Sequence, residues 1–201
     1  MEFYNPVRIL AGHDGLEKLA LYLEETSREK KILLLTRGMD FSQSPAGQAL
    51  RKALAGRDVR EEELTLSNPD VADMAAMLER VGGEPYGLIL AVGGGSVMDT
   101  AKTLALAIPA GIRGTEGLRA FIAAEAYEAV QPIPWIGVPT TSGTGSEVTP
   151  WATVWDRERE CKMSCSYSHN FAALAVVDPV CTATCPAALT ISSALDALCH
   201  S

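Results

Sequence analysis

Residues 86–96 have the sequence Tyr-Gly-Leu-Ile-Leu-Ala-Val-Gly-Gly-Gly-Ser, an apolar run that ends in consecutive glycines. Continuous apolar character over 86–92 predicts a β-strand that is buried on both faces. The pattern of the next residues, 97–108, predicts a helix. A buried strand that leads through a turn into a helix is typical of sheets with parallel strands. This stretch therefore predicts an α/β fold.

The same alternation of strand and helix continues on both sides of this stretch. Ser44 with Pro45, and Asp70, supply signals for the N-termini of two helices. Because such alternation implies parallel pairing with right-handed crossovers, we expect a Rossmann-like three-layer sheet. The sequence predicts further strands at 31–36, 59–66, 133–138 and 173–177, and helices at 44–54, 71–81 and from 186 to the end.

Three regions have a different character. Residues 151–155 and 162–167 alternate between polar and apolar side chains around 156–159, which predicts a hairpin. The pattern loosens over 111–126, where we expect a surface excursion with one short helix. Prolines near strand 133–138 predict that its start lies at an edge or entrance of the sheet.

The charge balance limits the partners of the protein. Among 201 residues, 17 Lys and Arg stand against 25 Asp and Glu, a net charge of −8. This balance argues against a nucleic-acid partner, because phosphate binding needs clustered basic side chains. No apolar run approaches the roughly 18 residues that a membrane span requires. The first residues do not resemble a secretory signal, so we expect a cytoplasmic protein without a membrane partner.

Five cysteines lie near the end of the chain, at positions 161, 165, 181, 185 and 199. Their two Cys-x3-Cys spacings allow an interpretation as half-sites of a zinc cluster. The alternative is that they are small buried apolar residues in a reducing cell. The Ala and Thr neighbours of Cys181 and Cys185 favour the second interpretation.

The glycine turn at 93–96 is a candidate phosphate site. Glycines let a phosphate approach the backbone, and a helix N-terminus offers unpaired N–H groups. The alternative is a tight turn that needs positive φ angles. The spacing is not G-x-G-x-x-G, so the usual Rossmann fingerprint is absent. Ser96 and Ala101 stand where a Walker A motif needs glycines, which argues against a kinase-like P-loop protein.

A second unusual segment, residues 139–149, has the sequence Pro-Thr-Thr-Ser-Gly-Thr-Gly-Ser-Glu-Val-Thr. It directly follows a predicted strand, so its hydroxyl groups suit a loop that surrounds a polar ligand at the carboxyl edge of the sheet. Its composition also fits a flexible linker. Two glycine-rich segments after two buried strands favour a common ligand crevice.

The last predicted helix carries a possible metal pair and an apolar stripe. Asp196 and His200 are four residues apart and share one helix face, where they could chelate a metal or form a surface hydrogen bond. Two ligands cannot complete a site that needs four. Residues 191, 194, 195 and 198 form an apolar stripe that needs a partner surface. We therefore expect a chain that is the first part of a longer protein and a homo-oligomer.

The segments 93–102 and 139–149 strongly resemble those of the iron-containing (group III) alcohol dehydrogenase family. Further matches in the order of the family are Asn5-Pro6, Asn68-Pro69, Asp178-Pro179 and 196–200. The resemblance covers the whole chain. It implies the N-terminal α/β domain of a dehydroquinate synthase-like fold over 1–180. It also implies that a helical metal-binding domain starts at 181–201, with the active site in the cleft between the two domains.

The resemblance also implies roles for individual residues. Gly95 and Ser96 would hold the diphosphate of the cofactor, and Asp196 and His200 would be the first two metal ligands. The family takes two further histidines from its helical domain, which this sequence lacks, and binds Fe²⁺ or, in some members, Zn²⁺. The other implied cofactor-binding residues are Asn68, Gly94, Asp99, Thr140, Thr141, Thr144, Thr149, Lys162 and Val177.

The implied reaction is hydride transfer between nicotinamide and a small alcohol or aldehyde. Many family members carry Asp at the position of Arg37, and a guanidinium suits a 2′-phosphate, so we expect NAD(P) with a preference for NADP. Residues 149–156 resemble the branch that includes phosphonoacetaldehyde reductases. The alternatives are a glycerol dehydrogenase or dehydroquinate synthase of the same fold, or a non-catalytic nucleotide-binding fragment. We expect cofactor binding without turnover by these residues alone.

Overall fold

The computed structural model describes residues 4–26, 30–37, 43–65 and 67–200. Within these residues, a parallel sheet of six strands has the order β1-β8-β5-β4-β2-β3. Its strands are β1 (Arg8–Ala11), β2 (Lys31–Thr36), β3 (Val59–Glu63), β4 (Tyr86–Gly93), β5 (Trp135–Pro139) and β8 (Leu174–Val177). Two further strands, β6 (Trp151–Asp156) and β7 (Cys161–Ser166), form an antiparallel hairpin.

Helices follow most of the sheet strands. They are α1 (Gly15–Thr26), α2 (Pro45–Ala53), α3 (Val71–Val81), α4 (Gly95–Ala107), α5 (Gly114–Ala123) and α6 (Ala187–His200). Short 3-10 turns lie at Ala126–Ala129, Ser146–Val148 and Pro179–Thr182. No helix in the described ranges is long and apolar enough to cross a membrane.

Strand β4 is central and contributes side chains to both faces of the sheet. Ile89 and Ala91 enter a core that also contains residues of α3, α4, α5 and the hairpin. Leu88 and Leu90 enter a second core with residues of α1 and α2. This alternation follows from the two-residue period of a strand. The predicted three-layer α/β architecture is confirmed.

The predicted helix starts are confirmed by their caps. Ser44 Oγ accepts a hydrogen bond from Gly47 N at 3.1 Å, with Pro45 in the first helical turn of α2. Asp70 Oδ1 accepts from Ala72 N at 2.9 Å at the start of α3. Both side chains satisfy N–H groups that a helix start leaves without a partner.

The prediction for residues 111–126 is wrong in its surface character. Helix α5 buries Leu118, Phe121 and Ile122 in the core that it shares with α3 and the hairpin. The loosened pattern was misleading because β7, which covers this helix, comes much later in the chain. Of the two predicted places for the start of β5, the edge of the sheet is wrong, because β5 lies between β4 and β8, and the entrance is confirmed. Its strand begins only after Pro134, so that proline interrupts no pairing within the strand.

Strand β1 and helix α1 have no counterpart among the sequence predictions. Strand β1 is a four-residue edge strand whose Arg8 and Ile9 are exposed, so it lacks a long apolar run. Helix α1 does carry an apolar spacing at Leu16, Leu19 and Leu23, and these side chains are buried. That spacing was the signal that could have predicted it.

The β6–β7 hairpin is attached to the domain by polar contacts. Arg119 of α5 donates to both carboxylate oxygens of Asp156, at 2.7 and 2.8 Å, and these bonds lower the pKa of Asp156. Trp155 N donates to Pro69 O at 2.9 Å, and Arg157 N donates to Asp70 Oδ2 at 2.9 Å. The hairpin is therefore fixed beside the loop that follows β3.

Substitution of a core leucine on α4 tests this packing. Leu104 is fully buried, so Leu104→Ala should lower the free energy of unfolding by about 2–5 kcal/mol. Leu21 on α1 is 66% exposed, and Leu21→Ala should change it by less than about 0.5 kcal/mol. Urea denaturation followed by circular dichroism measures both values, and equal losses would contradict the packing of α4.

Candidate functional site

The carboxyl ends of the parallel strands bring most of the predicted site residues to one edge of the sheet. Strands β4 and β5 are neighbours, with Gly93 opposite Pro139. Beyond them, Thr140 N donates to Gly93 O at 3.0 Å. The two glycine-rich segments therefore leave the sheet side by side, as expected for a common crevice.

The first segment forms an open helix start. Helix α4 begins at Gly95, and no side chain caps it at Gly94. Within the described ranges, the N–H groups of Gly95 and Ser96 have no hydrogen-bond acceptor. Gly94, Gly95 and Ser96 are half-buried and so remain accessible. Free N–H groups at the positive end of a helix dipole suit a bound anion.

The residues Gly93, Gly94 and Gly95 form the corner between β4 and α4. Their lack of side chains lets the second glycine-rich segment approach this corner closely. Their φ angles are not positive, so the alternative of a turn that requires positive φ is wrong. A Cβ at Gly93 would lie 2.8 Å from Val97 Cβ. At Gly94 and Gly95, a Cβ would lie 3.1 Å from Thr141 Oγ1 and 3.3 Å from Thr144 Oγ1. A side chain here would fill the space between the two segments.

The second segment is an ordered loop. It begins with the Thr140–Gly93 bond and continues through the left-handed Gly145, at φ 62°, into the turn Ser146–Val148. Thr144 Oγ1 accepts from Ser146 N at 3.2 Å. These contacts contradict the alternative of a flexible linker.

A buried polar network lies behind the two segments. Lys102 Nζ donates to Ser146 Oγ at 2.7 Å, and Ser146 Oγ donates to Asp99 Oδ1 at 2.9 Å. Asp99 Oδ2 accepts from Thr153 N at 3.2 Å. Burial lowers the pKa of Lys102 to about 8 and raises the pKa of Asp99. Lys102 is a site residue that the sequence predictions do not include, although its position three residues after Asp99 on a helix is a signal.

Some predicted cofactor-binding residues lie at the corner and others point inward. Asn68, with φ 59°, donates from its N–H to Ser96 Oγ at 3.0 Å. Lys162 lies opposite Trp155 in the hairpin, with Nζ 4.3 Å from the centre of that ring. Thr149 Oγ1 instead accepts a hydrogen bond from the buried Lys102 Nζ at 3.3 Å. Asp99 likewise binds Ser146 and Thr153 behind the corner.

Arg37 and Val177 lie on opposite sides of this corner. Arg37 directly follows β2 and is exposed. Val177 ends β8 and is 39% exposed. Because β4 and β5 lie between these two strands, a ligand at the corner could reach either side chain only by extending along the edge.

A cavity of about 240 Å³ opens beside the same corner, between the end of β3 and α3. Its walls are mostly apolar, with Leu64, Pro69, Met74 and Met77. The remaining lining includes the charged residues Glu63, Asp73 and Arg80 and Thr100 of α4. An apolar recess next to convergent polar groups is the usual composition of a small-molecule site.

The predicted metal pair lies on helix α6. Asp196 is half-buried, and His200 is the last residue of the helix; the histidine side chain lies outside the described part of the structure. A Cβ at Gly143 would lie 2.7 Å from Ser193 O, so α6 approaches the second segment one turn before Asp196. Among the described residues, no group of three or more His, Cys, Asp or Glu could hold a metal ion. A carboxylate suits Fe²⁺ or Zn²⁺, but the donor set needs further ligands.

The predicted apolar stripe of α6 is exposed. Ile191, Leu195 and Leu198 are 62%, 56% and 71% accessible, and Ala194 is exposed as well. The packing of the described residues therefore does not cover this face.

The cysteines favour the apolar interpretation over a zinc cluster. Cys165 and Cys181 are buried, and burial raises the pKa of each thiol to about 12. Among the described residues, neither thiol belongs to a group of three or more His, Cys, Asp or Glu that could hold a metal ion.

The fold and this edge define a parallel α/β domain whose carboxyl edge suits a phosphate-bearing ligand. The model of the iron-containing alcohol dehydrogenase family matches residues 6–179. The chain belongs to this family, as the resemblance of its two glycine-rich segments predicted.

Two curated proteins and one solved structure illustrate what the chain is similar to. Alcohol dehydrogenase 4 of Saccharomyces cerevisiae is 29% identical over 202 residues, which cover 98% of this chain and 50% of that protein. Phosphonoacetaldehyde reductase of Streptomyces viridochromogenes is 34% identical over 137 residues, 67% of this chain and 34% of that protein. The structure of NADH-dependent butanol dehydrogenase A from Thermotoga maritima has a TM-score of 0.86 and 26% identity, covering 100% of this chain and 49% of its own. The chain thus spans about half the length of the alcohol dehydrogenase and of the butanol dehydrogenase.

Two glycine substitutions at the corner should differ in their effect on the free energy of unfolding. Gly93→Ala should lower the free energy of unfolding by about 1–3 kcal/mol, because its Cβ overlaps Val97. Gly95→Ala should change it by about 1 kcal/mol or less, because alanine favours a helix and the nearest atom is a threonine hydroxyl. Urea denaturation distinguishes them, and the reverse order would contradict the described corner.

Thiol reactivity tests the placement of the cysteines. At pH 8, Cys161 and Cys199, which are exposed, should react rapidly with iodoacetamide. Cys165 and Cys181 should react only after unfolding, because they are buried and protonated. Peptide mass spectrometry identifies the labelled sites. Rapid labelling of Cys165 in the folded protein would contradict its burial.

Proposed function

We propose that this chain forms the nucleotide-binding half of a metal-dependent, NAD(P)-linked alcohol dehydrogenase or aldehyde reductase. The reaction would transfer a hydride between the nicotinamide and a small alcohol or aldehyde. The observation that carries the proposal is the uncapped start of α4, where the N–H groups of Gly95 and Ser96 lack acceptors within the described ranges. Two negative charges of a diphosphate would satisfy both the N–H groups and the helix dipole.

The residues of the corner fit a dinucleotide. Gly94 and Gly95 leave room for the diphosphate, and the hydroxyl groups of Thr141 and Thr144 border that room. Asn68 adjoins Ser96 on the side of β3, where the apolar cavity could accept a base. The related butanol dehydrogenase is NADH-dependent, which supports a nicotinamide nucleotide as the ligand.

Arg37 supports a preference for NADP(H) over NAD(H). Its position after β2 is next to the segment that follows β3, so it could meet the adenosine ribose of a nucleotide at the corner. A guanidinium binds a 2′-phosphate by charge-assisted hydrogen bonds.

Asp196 and His200 would supply the first two ligands of a divalent metal, with Fe²⁺ favoured by the family and Zn²⁺ as the alternative. When bound, such a metal supplies Lewis-acid polarisation of the substrate oxygen. This chain brings Asp196 near the second glycine-rich segment through the contact of α6 at Gly143. Asp196 lies one turn after this contact on the same helix.

The proposal extends to the substrate, the location and the assembly of the protein. A small alcohol or aldehyde fits the relatives, and similarity to a phosphonoacetaldehyde reductase supports an aldehyde of that kind. The cytoplasmic location expected from the sequence stays a proposal. The exposed apolar face of α6 supports a homo-oligomer.

Fluorescence titration with NADH and NADPH tests the cofactor site. The chain should bind at least one nucleotide, and Gly95→Ala should weaken binding about tenfold or more, because the new methyl group occupies the diphosphate position. Gly117→Ala is the matched control, since it also lies near a helix start and its nearest neighbour is 3.8 Å away. Absence of binding by the folded chain would refute the proposal.

The Arg37→Asp variant tests the preference for NADP(H). It should weaken NADPH binding about tenfold or more through loss of a charged hydrogen bond, with little effect on NADH. Lys52→Asp makes the same charge change on the last turn of α2, away from the carboxyl edge, and should leave both affinities unchanged. Equal effects of Arg37→Asp on both nucleotides would place Arg37 outside the site.

A further inference from the structure

Lys102 is a fully buried cation that the proposed hydride transfer does not use. Its side chain is 0% exposed, and it lies on α4 two turns after the helix start. Nζ donates to Ser146 Oγ at 2.7 Å, to Trp151 O at 2.7 Å and to Thr149 Oγ1 at 3.3 Å. An ammonium has three N–H groups, and these acceptors use all of them.

The acceptors of Lys102 share one location in the chain. All three belong to the end of the second glycine-rich segment or to the first residue of β6. Asp99 reinforces the same attachment, because it accepts from Ser146 Oγ and Thr153 N. Its Oδ1 also lies 3.6 Å from Lys102 Nζ. A buried charge costs free energy unless it is hydrogen-bonded and paired, and both conditions are met here.

Lys102 attaches the second segment at its C-terminal end, which backbone pairing with the sheet does not hold. At its start, Thr140 N is bound to Gly93 O. At its end, Lys102 binds Ser146 and Thr149. Between these points lie Thr141 and Thr144, whose hydroxyl groups face Gly94 and Gly95. The distance between segment and corner therefore depends on both attachments.

We infer that Lys102 is a positioning residue for the cofactor site, and that its ammonium holds segment 140–149 at the spacing that a dinucleotide diphosphate requires. Lys102 itself does not touch the cofactor. The inference rests on the proposed function for the identity of the ligand. The attachment of the segment can be measured without any ligand.

The charge state of Lys102 should make the affinity for NADH depend on pH. Burial lowers the pKa of Lys102 to about 8. The neutral amine has one N–H group fewer than the ammonium, and it lacks the positive charge that pairs with Asp99. The other titratable groups that influence this network are Glu147, on the adjoining turn, and Cys165, on β7 next to Thr103. NADH affinity should therefore be highest below pH 8 and fall as the pH rises through that value.

Three variants of the full chain test the inference. Lys102→Met keeps most of the apolar stem of the side chain and removes the ammonium group, and Thr149→Val removes one acceptor with little change in shape. Arg119→Met is the matched control, because Arg119 is also a buried cation but binds Asp156 and Glu158, away from the segment. NADH binding is measured by fluorescence from pH 6.5 to 9, together with urea denaturation and amide hydrogen exchange.

We expect Lys102→Met to weaken NADH binding at pH 7 at least tenfold, to abolish the decline near pH 8 and to accelerate exchange in 140–149. Thr149→Val should weaken binding severalfold. Arg119→Met should accelerate exchange in α5 and the hairpin while NADH affinity stays within twofold of wild type. A loss of affinity in Arg119→Met equal to that in Lys102→Met would overturn the inference, because general destabilisation would then explain both.

The remaining outcomes separate the inference from the proposed function. Wild-type NADH affinity and unchanged exchange of 140–149 in folded Lys102→Met would overturn the inference alone. If Lys102→Met does not fold, unchanged affinity in Thr149→Val together with a flat wild-type pH profile would overturn it. If the folded wild-type chain binds neither NADH nor NADPH, the proposed function fails, and the role in cofactor binding fails with it.

Discussion

The parallel pairing of β4 with β5 is the constraint on which the rest of the site depends. Both strands are buried, and their register brings Gly93 opposite Pro139. The two strands therefore end at the same level of the sheet, and the glycine-rich segment that follows each strand begins beside the other. Without that register, the open start of α4 would face solvent alone, and the hydroxyl groups of the second segment would not border it. Backbone hydrogen bonding between two apolar strands thus creates a polar crevice.

Local signals in the sequence were sufficient for much of the fold. The apolar run of β4, the Ser44 and Asp70 caps and the alternation of the hairpin each act within a few residues, and the structure contains all of these elements. Features that depend on distant partners were missed or misjudged. Helix α5 is buried because a later hairpin covers it, and β5 is central because β8 pairs with it after a long excursion of the chain.

In the candidate site, too, the sequence predicts features set by neighbouring residues and does not predict those set by distant contacts. The glycine corner was predictable because a strand, glycines and a helix follow one another directly. The inward orientation of Thr149 and Asp99 was not predictable, because Lys102 and Ser146 meet them only in the folded chain. The motif that contains Asp99 and Lys102 therefore combines two tasks. Its first residues form the open helix start, and its last residues hold the neighbouring segment in place.

The edge strand β3 has a consequence for how copies of this protein can meet. Its sequence is Val-Arg-Glu-Glu-Glu, and Glu62 is paired with Arg60 and Arg80 at 2.8 and 3.0 Å. Glu61 and Glu63 remain exposed on the same strand. Two such edges placed together would bring these carboxylates close to one another, and the repulsion opposes growth of the sheet by strand addition at the β3 edge.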